Sequence, residues 1–368
     1  MDEKIISSIK LRNIPGVGDV QYKKLIMTFK NAENVFNAPL SEIIKVDGIG
    51  EKVAFAIKNS IDNEEAVFQI TRAEKTKTQL IPLESNLYPR NLKNIYDPPS
   101  ILFVKGALEE RDMFSLSIVG SRNPSHYGKN IAEHFAHILS KNGFVIVSGL
   151  ARGIDAIAHL STQKAGGKTI AVLGCGIDIC YPSENKKLYN TISKDGAIIT
   201  EFPFATPPHA VNFPVRNRII SGLSLGVLII EAASKSGSLI TARLANDQGR
   251  EVFAIPGSIF SPKSKGTHKL IKLGAQLVET PEEIIETLLP QLADKRLAKA
   301  ESYGEKALSQ EEREILGLLS HEPLHIDSII AQGGLDASMV LSILLNLEID
   351  GLVTQLSGML FVKKEVME

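Results

Sequence analysis

Between residues 115 and 255 six short apolar runs, SLSIV, FVIVS, TIAVL, AIIT, GVLII and EVFAI, alternate with stretches of helical pattern. Runs of four or five such residues suit strands buried on both faces. Helical crossovers between them call for a parallel sheet with helices on either side, an extended Rossmann-like α/β fold. Five of the six runs end in a Gly- or Ser-containing turn: VGSR, SGLARG, LGCG, EAASKSGS and IPGS. Parallel strands put these turns on one edge, and ligands of such sheets sit there, where the strand order reverses.

The first of these turns lies in SLSIVGSRNPSHYG, residues 115–128. A strand feeding a helix through Gly-Ser-Arg is a phosphate-binding geometry. Neither common nucleotide loop is present, however. No G-x4-G-K-[ST] occurs, and GCGIDI (residues 174–179) lacks the third glycine of a dinucleotide fingerprint. Arginine is abundant instead. Arg122 follows the first strand, with Gly120 and Ser121 before it. Ser148, Gly149, Arg152 and Gly153 follow the second. Arg216, Asn217 and Arg218 precede the fifth, and Lys235 with Ser236, Gly237 and Ser238 follows it at the start of a helix. Basic groups spread along one sheet edge suit several phosphates in a row better than one nucleotide.

Charge patterning supports this. The formal net charge is -1, but residues 111–272 carry 19 Lys and Arg against 10 Asp and Glu, leaving 22 basic and 32 acidic residues elsewhere. The middle of the chain is basic, which favours a polyanionic partner. Two cysteines, Cys175 and Cys180, stand five apart with no nearby His. That spacing suits reduced thiols, not a zinc site, so no metal or cofactor is expected. No apolar run nears the roughly 20 residues of a membrane span. The start MDEKIISSIK has no apolar signal region, and a cytoplasmic protein is expected.

Flanking segments carry their own patterns. LRNIPGVGDVQYKKLI and EIIKVDGIGEKVAFAI repeat a helix, a Gly-x-Gly turn and a second helix. Residues 1–60 thus read as paired helix-hairpin-helix or SAM-like units. Such turns either present amides to a DNA phosphate or simply join helices, and Asp19 and Asp47 beside them lean toward the second role. Residues 61–106 form a connector wrapping the edge of the core, with helix excluded at Pro98 and Pro99. The core spans residues 107–292 and a charged linker 293–306. Residues 307–368 read as three helices and a hairpin, a winged-helix-like domain whose first helix opens with a Ser309–Glu312 capping box. Its third helix, from about Asp336 to Asp350, has no Lys or Arg. Groove readers depend on such residues, so this module is expected to bind protein.

Catalytic groups do not assemble in the sequence. Ser148 lacks a G-x-S-x-G elbow. His159 lies in the apolar helix IDAIAHLST, four residues from Asp155, as a core or paired histidine. Arg152 can pair with Asp155, and Arg243 with Asp247. Glu201 and Glu231 each end a strand as single acids.

The motifs SIVGSRNPSHYG, VSGLARGIDAIAH, GKTIAVLGCGIDICYPSENKKL, TEFPF with FPVRNRIISGLS, and EAASKSGSLITARLANDQGREVFAIPG succeed one another over residues 117–257, within a match that covers about residues 88–279. In order and spacing this set resembles the DprA/Smf family. The resemblance implies a non-enzymatic protein that binds single-stranded DNA, forms a homodimer through its Rossmann-like domain, protects incoming strands and loads the RecA recombinase in natural transformation. It also implies that Gly120, Ser121 and Arg122 touch the strand and that Arg216, Asn217 and Arg218 form a second basic element. Where many relatives carry Lys after Tyr-Pro this chain has Ser183, and Lys186 or Lys187 one turn on is the expected substitute. Base stacking falls to Phe202, Phe204, Phe213 or Tyr181, because the chain has no Trp. The alternative is a nucleotide-processing enzyme of phosphoribohydrolase type. The P-G-G-x-G-T-x-x-E signature of that class is missing, with SGSLITA in its place.

Overall fold

A computed structural model describes residues 3–60, 63–288, 309–320, 323–349, 352–356 and 358–363. The expected linker 293–306 lies outside them. The chain divides into two compact units, residues 1–140 with 144–279, and residues 141–143 with 280–368.

The first unit is built on nine strands: β1 (Gln79–Pro82), β2 (Ile101–Gly106), β3 (Ser115–Val119), β4 (Val145–Ser148), β5 (Thr169–Val172), β6 (Ala197–Thr200), β7 (Gly226–Ile229), β8 (Glu251–Ala254) and β9 (Gln276–Leu277). They form one sheet in the order β1-β2-β6-β5-β4-β3-β7-β8-β9. From β3 to β9 the pairing is parallel, so their carboxyl ends share one edge. The chain starts centrally at β3, steps out through β4 to β6, and returns to pair β7 on the other side of β3. The reversal therefore falls between β3 and β7, and the loops after those strands flank it.

All six apolar runs form strands within a residue of their expected ends. Along β5 and β6 successive residues feed opposite cores. Ile170, Val172 and Ile199 join one cluster, and Ala171 and Ile198 the other. Helices Asn212–Leu223 and Ser238–Asp247 pack on the first face through Ile219, Ile220, Leu223, Ala242 and Ala245. Helix Lys186–Asp195 packs on the second through Leu188, Tyr189 and Ile192.

The connector does more than wrap an edge. Its two strands extend the sheet beyond β6 with antiparallel pairing, Phe103 opposite Thr200 and Leu80 opposite Phe103. The N-terminal helices are likewise part of this unit. Leu11, Tyr22, Leu25, Val35, Ile43 and Ile57 belong to the same apolar cluster as Val172 and Val227 of the sheet. The helices of residues 1–60 and the sheet thus share one core.

In the second unit Ser309 accepts from the Glu312 amide at 3.1 Å while Glu312 accepts from the Ser309 amide at 2.8 Å, completing the expected capping box on helix Gln310–Leu318. Helices Ile326–Gly333 and Ala337–Ile349 come next. β10 (Leu324–His325), β11 (Val353–Leu356) and β12 (Leu360–Lys363) form a small antiparallel sheet. Ile315, Ile329, Leu344, Leu347 and Phe361 share one core, giving a winged-helix fold. No single helix among the described residues is long and apolar enough to cross a membrane.

Candidate nucleic-acid interface

Two loops, those after β3 and β4, are locked together at the carboxyl edge. The Ile154 amide donates to the Ser121 carbonyl at 3.1 Å. Gly153 takes φ +75°, and a Cβ there would fall 2.3 Å from the Ser121 oxygen. Only glycine tolerates both that dihedral and that approach. This fixes the backbone that presents Arg122, whose side chain projects into solvent with its guanidinium 5.7 Å from the centre of the Phe213 ring.

Phe213 lies in the first turn of helix Asn212–Leu223 and sits against Gly174, where a Cβ would come within 2.8 Å of the ring. Tyr181 lies beside it, ring centres 5.5 Å apart, with 43% of its surface exposed. These two rings form an aromatic platform next to an exposed arginine. Phe204, by contrast, is core, edge-on to Phe103 at 5.6 Å, and Phe202 is half-buried.

The three polar residues that come after the platform in helix Asn212–Leu223 are buried. Arg216 is 4% exposed, and its Nη1 donates to the Gly149 carbonyl at 2.8 Å and to the Val172 carbonyl. Burial pulls its pKa down to about 10, so it stays charged at neutral pH, opposed by the buried Asp155. Asn217 reaches the Gly237 carbonyl at 3.5 Å. Arg218 is held by three carboxylates: Glu201 at 2.6 Å, Asp19 at 2.7 Å and Asp97 at 3.1 Å. Each residue ties the helix to a different segment of the edge. Arg216 and Arg218, expected to meet phosphate, are instead both buried and engaged with protein groups, and they anchor a helix that packs on β3, β4 and β5. The buried Arg216 guanidinium lies 5.9 Å from the centre of the Phe213 ring, a fixed positive charge beneath the platform.

Other expectations are redistributed. Arg152 pairs with Glu184 through both Nε and Nη2, at 2.7 and 2.6 Å, and not with Asp155. Both ends of that pair are exposed, so it is weak. Asp155 instead accepts the Gly149 amide at 3.1 Å, and burial raises its pKa. Nor does His159 pair with Asp155; its Nδ1 meets the Thr169 hydroxyl at 2.6 Å in the core. Ser148 is buried and donates to the Ile118 carbonyl at 2.6 Å. Glu201 is taken by Arg218, and Glu231 by Ser125, whose amide and hydroxyl donate to it at 2.8 and 2.5 Å. Cys175 is buried, with its thiol pushed up to about 12 by desolvation.

Exposed cations remain along the edge. Lys235 projects from the loop after β7, where the Ser236 and Ser238 hydroxyls meet at 2.8 Å. Lys186 opens helix Lys186–Asp195 with its ammonium 5.2 Å over the Tyr189 ring. Gly120 lies between them at the reversal, and a Cβ there would strike Ile154 at 2.8 Å. Among the described residues no three His, Cys, Asp or Glu side chains converge as metal ligands.

Residues 79–289, more than half of the chain, match the family model for DNA recombination-mediator protein A. The chain belongs to that family. Residues 299–359 match the DprA winged helix domain and residues 11–68 the helix-hairpin-helix motif. Within the family the chain is 43% identical over 289 residues to Protein Smf of Escherichia coli K12, covering 77% of each. It is 48% identical over 214 residues to the DNA processing protein DprA of Bacillus subtilis, covering 56% of this chain and 70% of that one. The solved DprA of Streptococcus pneumoniae matches with a TM-score of 0.67 and 36% identity, over 78% of this chain and 98% of that one. A Helicobacter pylori DNA processing protein A, described for its single-stranded DNA binding mode, matches with a TM-score of 0.52 and 33% identity, over 59% and 98%.

Proposed function

We propose that this chain is a recombination mediator that binds single-stranded DNA along the carboxyl edge of its sheet. Bases stack on Tyr181 and Phe213, and phosphates meet Arg122, Lys235 and Lys186. Gly120 and Ser121 contribute backbone close to the strand. The observation that carries this reading is an exposed arginine and a two-ring platform side by side, with a second exposed cation across the strand-order reversal. The loops of β5 and β7 lie three strand spacings apart, roughly 14 Å. That reach suits consecutive nucleotides better than one. Stacking is worth about 1–3 kcal/mol per base and is sequence-tolerant, which suits a protein that meets arbitrary strands.

Its membership of the recombination-mediator family and its likeness to a relative described for single-strand binding support the same reading. Loading of RecA onto the bound strand, and action as a homodimer during uptake of transforming DNA, complete the proposal. A nucleotide-processing reading is less well supported, because the Glu231 carboxylate occupies the helix start where a nucleotide phosphate would be held.

The test is binding of a labelled thymine oligomer, an equal-length duplex and a mononucleotide across a salt series. The proposal expects preference for the oligomer and a steep salt dependence. Tight, salt-insensitive binding of the mononucleotide, with release of free base, would overturn it. RecA filament growth on strands precoated with single-strand-binding protein then tests loading, which absence of any acceleration would refute.

A further inference from the structure

The helix following β3 starts at the strand-order reversal, where folds of this class receive a ligand phosphate. Here that position is filled from within. Glu231, just past β7, is 4% exposed, and its carboxylate accepts the Ser125 amide and hydroxyl at 2.8 and 2.5 Å. Ser125 directly precedes helix His126–Lys141, and its hydroxyl also accepts the Gly128 amide at 3.1 Å. The helix start is thus linked to Glu231 through Ser125. Gly128 completes the cradle: a Cβ on it would lie 2.6 Å from the carboxyl carbon of Glu231.

We propose that Glu231 is a specificity residue, an internal anion that denies this helix start to free phosphate and to mononucleotides. A phosphate placed there would have to share its donors with a carboxylate, and like charges in one buried site exclude each other. Strand phosphates are therefore held further out, at Arg122, Lys235 and Lys186. An isolated nucleotide, which cannot spread its contacts over these cations, gains little. This deepens the strand-binding reading and rests on it for its meaning. A plain capping role for Glu231 predicts lost stability on substitution and no new ligand.

The experiment titrates inorganic phosphate and thymidine monophosphate into the wild-type protein, Glu231→Ala and Glu231→Gln. Heat of binding and the amide shifts of Ser125 and Gly128 are recorded. Glu231→Ala is expected to bind either probe at least tenfold more tightly than wild type, with shifts at both amides. A folded Glu231→Ala without that gain overturns the inference, as does a wild-type protein in which phosphate already shifts Ser125 and Gly128. Should Glu231→Ala not fold, Glu231→Gln decides: it keeps the side chain's shape and loses its charge, a threefold gain is expected, and none refutes. Failure of the strand reading shows separately, in the oligomer titration of the wild type.

Discussion

Arg216 donates to the Gly149 carbonyl at 2.8 Å, and a Cβ on Gly149 would stand 2.6 Å from the same guanidinium. The buried cation and the missing side chain therefore require each other. Gly149→Ala pushes the guanidinium off its carbonyls and is expected to cost about 1–3 kcal/mol. Arg216→Ala leaves the buried Gly149 and Val172 carbonyls without their donor and is expected to cost about 1–3 kcal/mol. The double variant should cost less than the two together, since the clash disappears with the guanidinium. Urea unfolding of the four proteins reads this coupling, and strict additivity would refute it.

Arg122 stands in the opposite situation, exposed and packed against the Phe213 ring. Arg122→Ala should leave stability within about 0.5 kcal/mol. Binding of a thymine oligomer should fall about tenfold, with the salt slope shallower by about 0.7 for one lost phosphate contact. Lys235→Ala should behave alike. Fluorescence anisotropy across a salt series checks both, and an unchanged slope in a folded Arg122→Ala would remove it from the interface.

The contrast between these two arginines shows where sequence reading stops. Six strands, their turns and the carboxyl edge can be read from apolar runs and their punctuation. Which arginine at that edge is free cannot. Arg216 and Arg218 look like Arg122 in the sequence, yet burial depends on the path of helix Asn212–Leu223 over β3, β4 and β5, a property of the assembled sheet. Two signals point to it. Arg216, Asn217 and Arg218 sit one, two and three positions after an apolar Val215 and before the run IISGL, so a helix buried along IISGL must bury part of them. Gly149 and Gly174 also mark close approach. The short strands β1 and β2 were hidden because four to six residues among prolines carry too little pattern.

Arg218 holds the N-terminal helices to the sheet through Asp19, with Glu201 and Asp97 at its other donors, and Arg12 adds a bond to the Glu201 carbonyl at 2.7 Å. Arg218→Ala leaves the buried Glu201 without its main partner and should destabilise by about 3–5 kcal/mol. Asp19→Asn keeps a polar contact to Ser100, whose amide and hydroxyl bond Asp19 at 2.9 and 2.6 Å, and should cost about 1 kcal/mol. Because the core is shared, both should lower one cooperative transition in calorimetry. Early melting of the N-terminal helices alone would contradict this.

His159 sets an acid limit. Burial, with Arg216 adding repulsion, lowers its pKa to about 3, against 6.5 in an unfolded chain. Between these values the unfolded state binds one more proton, so stability is fully present above pH 6.5 and declines by about 1.4 kcal/mol for each unit of pH below it. Glu201 works the other way: burial raises its pKa from 4.5 to about 6, so its penalty is relieved as pH falls from 6 to 4.5. The difference between proteins therefore isolates the histidine. His159→Gln is expected to be less stable than wild type at pH 7.5 but to lose stability less steeply between pH 6.5 and 4. Urea midpoints over that range measure it, and parallel curves would refute the assignment.

The winged-helix unit supplies the last test. Helix Ala337–Ile349, in the position that enters a major groove in duplex readers, carries no basic residue. Removing residues 309–368 should leave oligomer affinity within about threefold and the salt slope unchanged, because no phosphate contact is lost. The same truncation should abolish capture of a protein partner if the unit serves protein recognition, and pull-down with purified RecA is the first assay to run. A tenfold loss of oligomer affinity would instead assign this unit a direct share in strand binding, made through the backbone amides at its helix starts or through side chains other than those of Ala337–Ile349.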